Sequence, residues 1–211
     1  STLKPIQLSH FDFDGYVEAR KQFTTDEWID LLIQSIGFNP ELFGRRAKLI
    51  QLVRLIPFVE RNYNLVELGP KGTGKSHIFS EFSPHGMLIS GGEVTVPKLF
   101  VNNSNGRIGL VGYWDVVAFD EVAGLQMSDS TVVNMLKDFM ESGSFARGKE
   151  EIPAEASVVF VGASFTADAT VVTSLVGRAA FPNLMDFHPR KDTPGVFQID
   201  GLVCLEGTGA F

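Results

Sequence analysis

Residues 69–76 read Gly-Pro-Lys-Gly-Thr-Gly-Lys-Ser, a complete G-x-x-x-x-G-K-[ST] pattern, and no other stretch limits the fold of this chain as tightly. An apolar run, Asn64–Leu68, precedes it, and a stretch compatible with a helix, Ser76–Phe82, follows. Strand, glycine-rich loop and helix in that order make a phosphate cradle. The glycines let the backbone curl until successive N–H groups point inward, and the start of the helix adds partial positive charge. Lys75 can reach the β- and γ-phosphates of a nucleotide, and the Ser76 hydroxyl can ligate Mg2+. Gly69, Pro70, Lys71, Gly72, Thr73, Gly74, Lys75, Ser76 and the adjoining His77 are therefore the candidate nucleotide-binding residues, with ATP and Mg2+ as the expected ligands.

Such a loop requires an acidic partner. Trp114-Asp-Val-Val-Ala-Phe-Asp120-Glu121 supplies one, an apolar strand that ends in two adjacent carboxylates. Asp120 is expected to hold the metal directly or through water. Glu121 is expected to polarise the attacking water, which makes Glu121 and Lys75 candidate catalytic residues for hydrolysis. Carboxylates at the C-terminal edge of a buried parallel strand also sit where such sheets bind ligands. A further strand, Ser157–Gly162, leads into Ala163-Ser164, and in ATPases of this layout a polar residue at that tip senses the γ-phosphate. Ser164 is the candidate, with Thr166 close by.

The remaining pattern predicts an α/β fold, a P-loop NTPase whose parallel sheet is flanked by helices, behind an N-terminal helical extension. Residues 1–62 form the helical region and residues 63–211 the ATPase core. Thr24-Thr-Asp-Glu27 is a capping box, and the helix it opens carries Trp28, Leu31, Leu32 and Ile36 on one face until Gly37 ends it. Asn39-Pro40 starts a second helix over Glu41–Ile56 with Leu49, Ile50, Val53 and Ile56 buried; Gly44-Arg45-Arg46 can interrupt its beginning, and Pro57 kinks or ends it. Strands are expected at Asn64–Leu68, Met87–Ser90, Val116–Phe119 and Ser157–Gly162, and a fifth at Val196–Ile199 or Leu202–Leu205. A helix over Thr131–Ser142, stopped by Gly143, presents Val132, Val133, Leu136, Phe139 and Met140. Between residues 91 and 114 the pattern allows a short helix at Thr95-Val96-Pro97 and an extra strand at Ile108–Gly112. The eighteen phenylalanines read as packing residues.

Composition excludes several classes. Hydrophobic residues make up 44% and charged residues 20%, enough for a real core and unlike a disordered chain. No apolar run approaches the roughly 18 residues of a membrane helix. The first residues, Ser-Thr-Leu-Lys-Pro-Ile, lack a secretory layout, so a cytoplasmic location is expected. One cysteine, Cys204, forms no internal disulfide. With 18 basic against 25 acidic residues and a net charge of −7, any DNA binding must come from a local patch or from copies arranged around a ring.

Phe23-Thr-Thr-Asp-Glu-Trp-Ile-Asp, Glu67-Leu-Gly-Pro-Lys-Gly-Thr-Gly-Lys-Ser, Trp114-Asp-Val-Val-Ala-Phe-Asp-Glu-Val-Ala-Gly and Gly143-Ser-Phe-Ala-Arg-Gly-Lys-Glu-Glu together resemble the BrxL family. Its members are Lon-like AAA+ proteins of bacterial and archaeal BREX phage-defence systems, and the resemblance covers about residues 15–165. It implies an AAA+ ATPase that assembles as a homo-oligomeric, hexamer-like ring, binds double-stranded DNA through its pore and acts with other BREX proteins, without a membrane. A ring ATPase takes an arginine from the neighbouring subunit; Arg178 is the candidate, with Arg190 as the alternative. Arg147-Gly-Lys149 lies where related motors place a pore hairpin. The family also carries a helical lid and a protease-like domain. Only 45 residues follow Thr166, so both are expected to be absent here and no Ser/Lys protease dyad is assigned. The competing reading is a nucleotide-gated assembly or DNA-binding module with little ATP turnover and no protease activity.

Overall fold

The computed structural model describes residues 10–69, 72–91, 93–121, 126–127, 130–162, 196–199 and 202–206. Three helices come first: α1 (Phe13–Lys21), α2 (Thr25–Ser35) and α3 (Arg45–Val53). The expected capping box at α2 is present, with the Thr24 hydroxyl accepting from the Glu27 N–H and the Glu27 carboxylate accepting from the Thr24 N–H. Gly37, at φ +90°, ends α2 in a conformation only glycine adopts cheaply. The Phe38 N–H then reaches back to the Ile33 carbonyl and the Gly37 N–H to that of Gln34, a Schellman closure.

The buried stripe of α2 differs from the expected one. Ile29, Ile33 and Ile36 face inward, whereas Leu31 is exposed and Trp28 lies on the flank against Tyr16, Phe23 and the Arg20 guanidinium. The helix has apolar residues on two overlapping stripes, and contact with α3 selects the isoleucine one. The second expected helix is divided. Asn39 caps a 3-10 turn at Pro40–Leu42, and α3 starts afresh after Gly44. Within α3, Ile50 is buried as expected, together with Gln51, whereas Leu49 is exposed, contrary to expectation.

The core continues with β1 (Asn64–Leu68), α4 (Lys75–His77) extended by a π-helical segment at Ile78–Phe82, β2 (Gly86–Ser90), β3 (Glu93–Val94) and α5 (Val96–Leu99). Next come β4 (Val101–Asn102), β5 (Arg107–Ile108), β6 (Val116–Asp120), β7 (Gln126–Met127) and α6 (Ser130–Ser142). The described elements end with β8 (Ser144–Arg147), β9 (Glu150–Pro153), β10 (Ser157–Gly162), β11 (Val196–Ile199) and β12 (Leu202–Glu206). The main sheet runs β11-β12-β1-β10-β6-β2. Its last five strands are parallel, as expected, and β11 pairs antiparallel with β12, so both candidate fifth strands form. The proposed strand at 108–112 reduces to the two-residue β5, which pairs with β4, followed by a 3-10 turn at Leu110–Gly112.

A parallel sheet must be covered on both faces, and alternation along its strands sorts the core accordingly. Val66, Val117, Phe119, Val158 and Phe160 meet Val132, Leu136 and Phe139 of α6 together with Phe100 and Phe145. On the opposite face Leu65, Val116, Ala118, Val159 and Val161 meet Ile50, Ile78 and Phe79. Phenylalanine fills much of the first layer, and the Phe119 and Phe160 rings stack at 5.4 Å. Asn64 locks one end of the sheet, accepting from the Val158 N–H at 2.9 Å while its amide donates to the Met140 carbonyl near the end of α6. Phe160→Ala removes a fully buried ring from this layer and is expected to cost about 3–5 kcal/mol, seen as a lower urea midpoint with an unchanged slope.

Candidate nucleotide-binding site

Parallel pairing brings the C-terminal ends of β1, β6 and β10 to one edge. Leu68 lies beside Gly162, Phe160 beside Phe119, and the Gly69 N–H donates to the Gly162 carbonyl at 3.1 Å. These strand ends therefore lie together. A cavity of about 310 Å3 there is lined by the P-loop from Gly72 through His77, by Asp120 and Glu121, and by Gly162. Six of the nine candidate nucleotide-binding residues, together with both carboxylates, are thus brought to one place. Gly69 stands at its rear through the bond to Gly162. Pro70 and Lys71 lie outside the described residues, as do Ser164, Thr166, Arg178 and Arg190.

Within the loop, Gly72 and Gly74 take φ of +85° and +75°, the curl that the glycine spacing implies. The Lys75 side chain is buried, and its ammonium donates to the Gly69 carbonyl at 2.8 Å and to the Thr73 hydroxyl at 3.1 Å. It is thus folded back along the loop. Across the cavity, the Asp120 carboxylate accepts from the Glu121 N–H at 2.9 Å. Glu121 itself sits at φ +52°, a left-handed conformation that costs an L-residue about 1–2 kcal/mol. Strain of this kind collects at functional sites, and here it falls on the residue expected to handle water. The Ser76 hydroxyl and the Asp120 carboxylate are hard oxygen donors suited to Mg2+. Among the described residues no group of three or more His, Cys, Asp or Glu side chains could hold a metal.

Sequence patterns alone do not reveal the groups behind the loop. Glu67 in β1 is fully buried and ion-paired with Arg54, which follows α3; Arg54 also donates to the Gln51 side chain and to the Thr73 carbonyl. Burial pushes the Glu67 carboxyl above its ordinary range, opposed by the Arg54 charge and by Lys75. A glutamate inside the apolar run Asn-Leu-Val-Glu-Leu is itself a signal, since a charge in a buried strand needs a partner. Nothing local identifies Arg54 as that partner. Gly74→Ala tests the loop's curl: the added Cβ meets only the Phe38 ring, at an ordinary 3.5 Å, so the cost is backbone strain. A loss of about 1–2 kcal/mol in chemical denaturation is expected.

Residues 1–186 match the family model of the Lon-like protease BrxL-like ATPase domain. The match runs past residue 165, where the motif resemblance was expected to end. The chain is 50% identical over 184 residues to the Lon-like protease BrxL of Escherichia coli O9:H4 (strain HS), an alignment covering 87% of this chain and 26% of that protein. It is 53% identical over 161 residues to the Lon-like protease BrxL of Bacillus cereus (strain H3081.97), covering 76% and 24% respectively. The chain spans about a quarter of the length of the curated relatives it matches. With a P-loop and a carboxylate pair on one cavity and a match over most of its length, the chain belongs to the BrxL-like ATPase domain family.

Proposed function

We propose that this chain hydrolyses ATP with Mg2+ and works as part of a ring-forming, DNA-associated motor of BREX anti-phage defence. The convergence of Lys75, Ser76, Asp120 and Glu121 on one cavity carries the reading, because phosphoryl transfer needs those groups together. The loop N–H groups and Lys75 bind the phosphates. Ser76 and Asp120 would hold Mg2+, which neutralises charge on the phosphate oxygens. Glu121 takes a proton from the attacking water as the water oxygen bonds to the γ-phosphorus and the bridging oxygen leaves with ADP. Ser164 senses the γ-phosphate, and Arg178 of one copy completes the site of the next. The activity we assign to this chain is ATP hydrolysis. No helix among the described residues is long and apolar enough to cross a membrane.

DNA contact is assigned to the hairpin of β8 and β9. The pair forms as an antiparallel ribbon turned at Gly148, φ +63°. Arg147 is paired with Glu150 at 2.7 Å, whereas the Lys149 side chain is exposed at the tip. With the chain acidic overall, such a tip repeated around a ring offers the local positive charge that DNA requires.

Steady-state phosphate release distinguishes this motor from a nucleotide-gated module. Wild type is expected to turn over ATP only with Mg2+, Glu121→Gln to bind ATP without turnover, and Lys75→Ala to stay folded but lose ATP binding. Absence of turnover by wild type, with or without DNA, overturns the enzyme reading. For DNA, affinity is expected to fall steeply with salt, and Lys149→Ala to reduce the slope by about one per contacted phosphate. A flat salt response counts against backbone binding.

A further inference from the structure

Behind the P-loop lies a charged network almost closed to water. The Arg54 and Glu67 side chains are 3% and 0% exposed. Arg54 Nη2 donates to Glu67 Oε1, and Nη1 donates to Gln51 Oε1 and, at 3.2 Å, to the carbonyl of Thr73. Glu67 Oε2 is buried without a hydrogen-bond partner. A buried ion pair is weak evidence of stabilisation, because an apolar pair of similar volume often does as well. The informative feature is what the guanidinium grips.

Thr73 and Gly74 share a trans peptide, and planarity puts its C=O and N–H on opposite sides. Arg54 holds the carbonyl and does not line the nucleotide cavity, whereas Gly74, Lys75 and Ser76 do. The Gly74 N–H is consequently turned away from Arg54. Gly74 is also the residue at which this peptide could rotate most freely, since glycine tolerates either sign of φ. A flipped peptide would present a carbonyl oxygen where a phosphate needs a donor. The guanidinium fork, fixed by Glu67 and Gln51, opposes that flip.

We propose that Arg54 is a positioning residue for phosphate binding: anchored by Glu67 and Gln51, it pins the Thr73 carbonyl so that the Gly74 N–H serves the phosphate cradle. The segment that follows α3 thereby sets the P-loop. This inference rests on the reading that the cavity takes a nucleoside triphosphate.

Two variants of the intact chain test it, each assayed at a temperature where circular dichroism shows it folded. Arg54→Lys keeps a charge opposite Glu67 but lacks the planar fork that reaches both Glu67 and Thr73. The double variant Arg54→Met, Glu67→Gln removes both charges of the pair together, so that neither is left facing an apolar side chain. Binding is read by displacing a fluorescent ATP analogue with ATP or with inorganic tripolyphosphate. Both variants are expected to bind ATP about tenfold more weakly or worse, and tripolyphosphate, which has no base or sugar, to weaken by the same factor. A folded variant within twofold of wild type overturns the inference, as does a loss for ATP that tripolyphosphate does not share. If neither variant folds, the pair is structural and the inference also falls. Failure of wild type to bind ATP overturns the nucleotide reading itself, a distinct result.

Discussion

Parallel pairing of β1 with β10, and of β10 with β6, is the constraint on which the molecule depends. Parallel strands finish at the same edge, so Leu68, Asp120 and Gly162 come to one edge although they lie far apart in the chain. The strands β1, β6 and β10 are buried on both faces. One face is covered by a layer rich in phenylalanine, the other by Ile50, Ile78 and Phe79. The site is thus a consequence of the sheet: each chemical group hangs from a strand end that the core holds in place.

The Arg54–Glu67 pair adds a second level of organisation. It joins the N-terminal helical region to the first strand of the sheet and to the loop that follows. Taking two charges out of water costs several kcal/mol per ion in real proteins, and here much of the return is a fixed orientation of Thr73. The helical region is therefore more than a cover for hydrophobic surface. Its α3 residues Ile50 and Gln51 pack toward the core, and the arginine just beyond them reaches the back of the phosphate loop.

Strain and order are divided between the two sides of the cavity. On the P-loop side the left-handed positions are glycines, so the curl of the chain costs little. On the carboxylate side a glutamate occupies a left-handed position, steadied by its N–H bond to Asp120. The proposed roles account for that difference. A loop that offers backbone donors to phosphate benefits from having no side chains, whereas in the same proposal residue 121 presents a carboxylate and accepts the strain that comes with it.

Local chemistry is legible in the order of residues along the chain. The P-loop, the Asp-Glu terminus of β6, the capping box of α2 and the glycine stop after α6 each depend on residues within a few positions of one another, and each forms where the pattern indicates. Ambiguity enters wherever two local solutions are equally apolar: α2 could bury Trp28 and Leu31, and it buries Ile29 and Ile33 because α3 lies on that side. The partner of Glu67 escapes sequence reasoning for the same cause. A buried carboxylate demands a cation, but only the packing of α3 against the sheet selects Arg54 to meet it. Sequence alone, then, carried the family resemblance, through motifs spread over residues 23–151, and the chemical groups expected at the site, through short-range spacing. Tertiary structure decided which strand ends become neighbours, which helix stripe is buried and what holds the phosphate loop from behind, since those depend on contacts between residues distant along the chain.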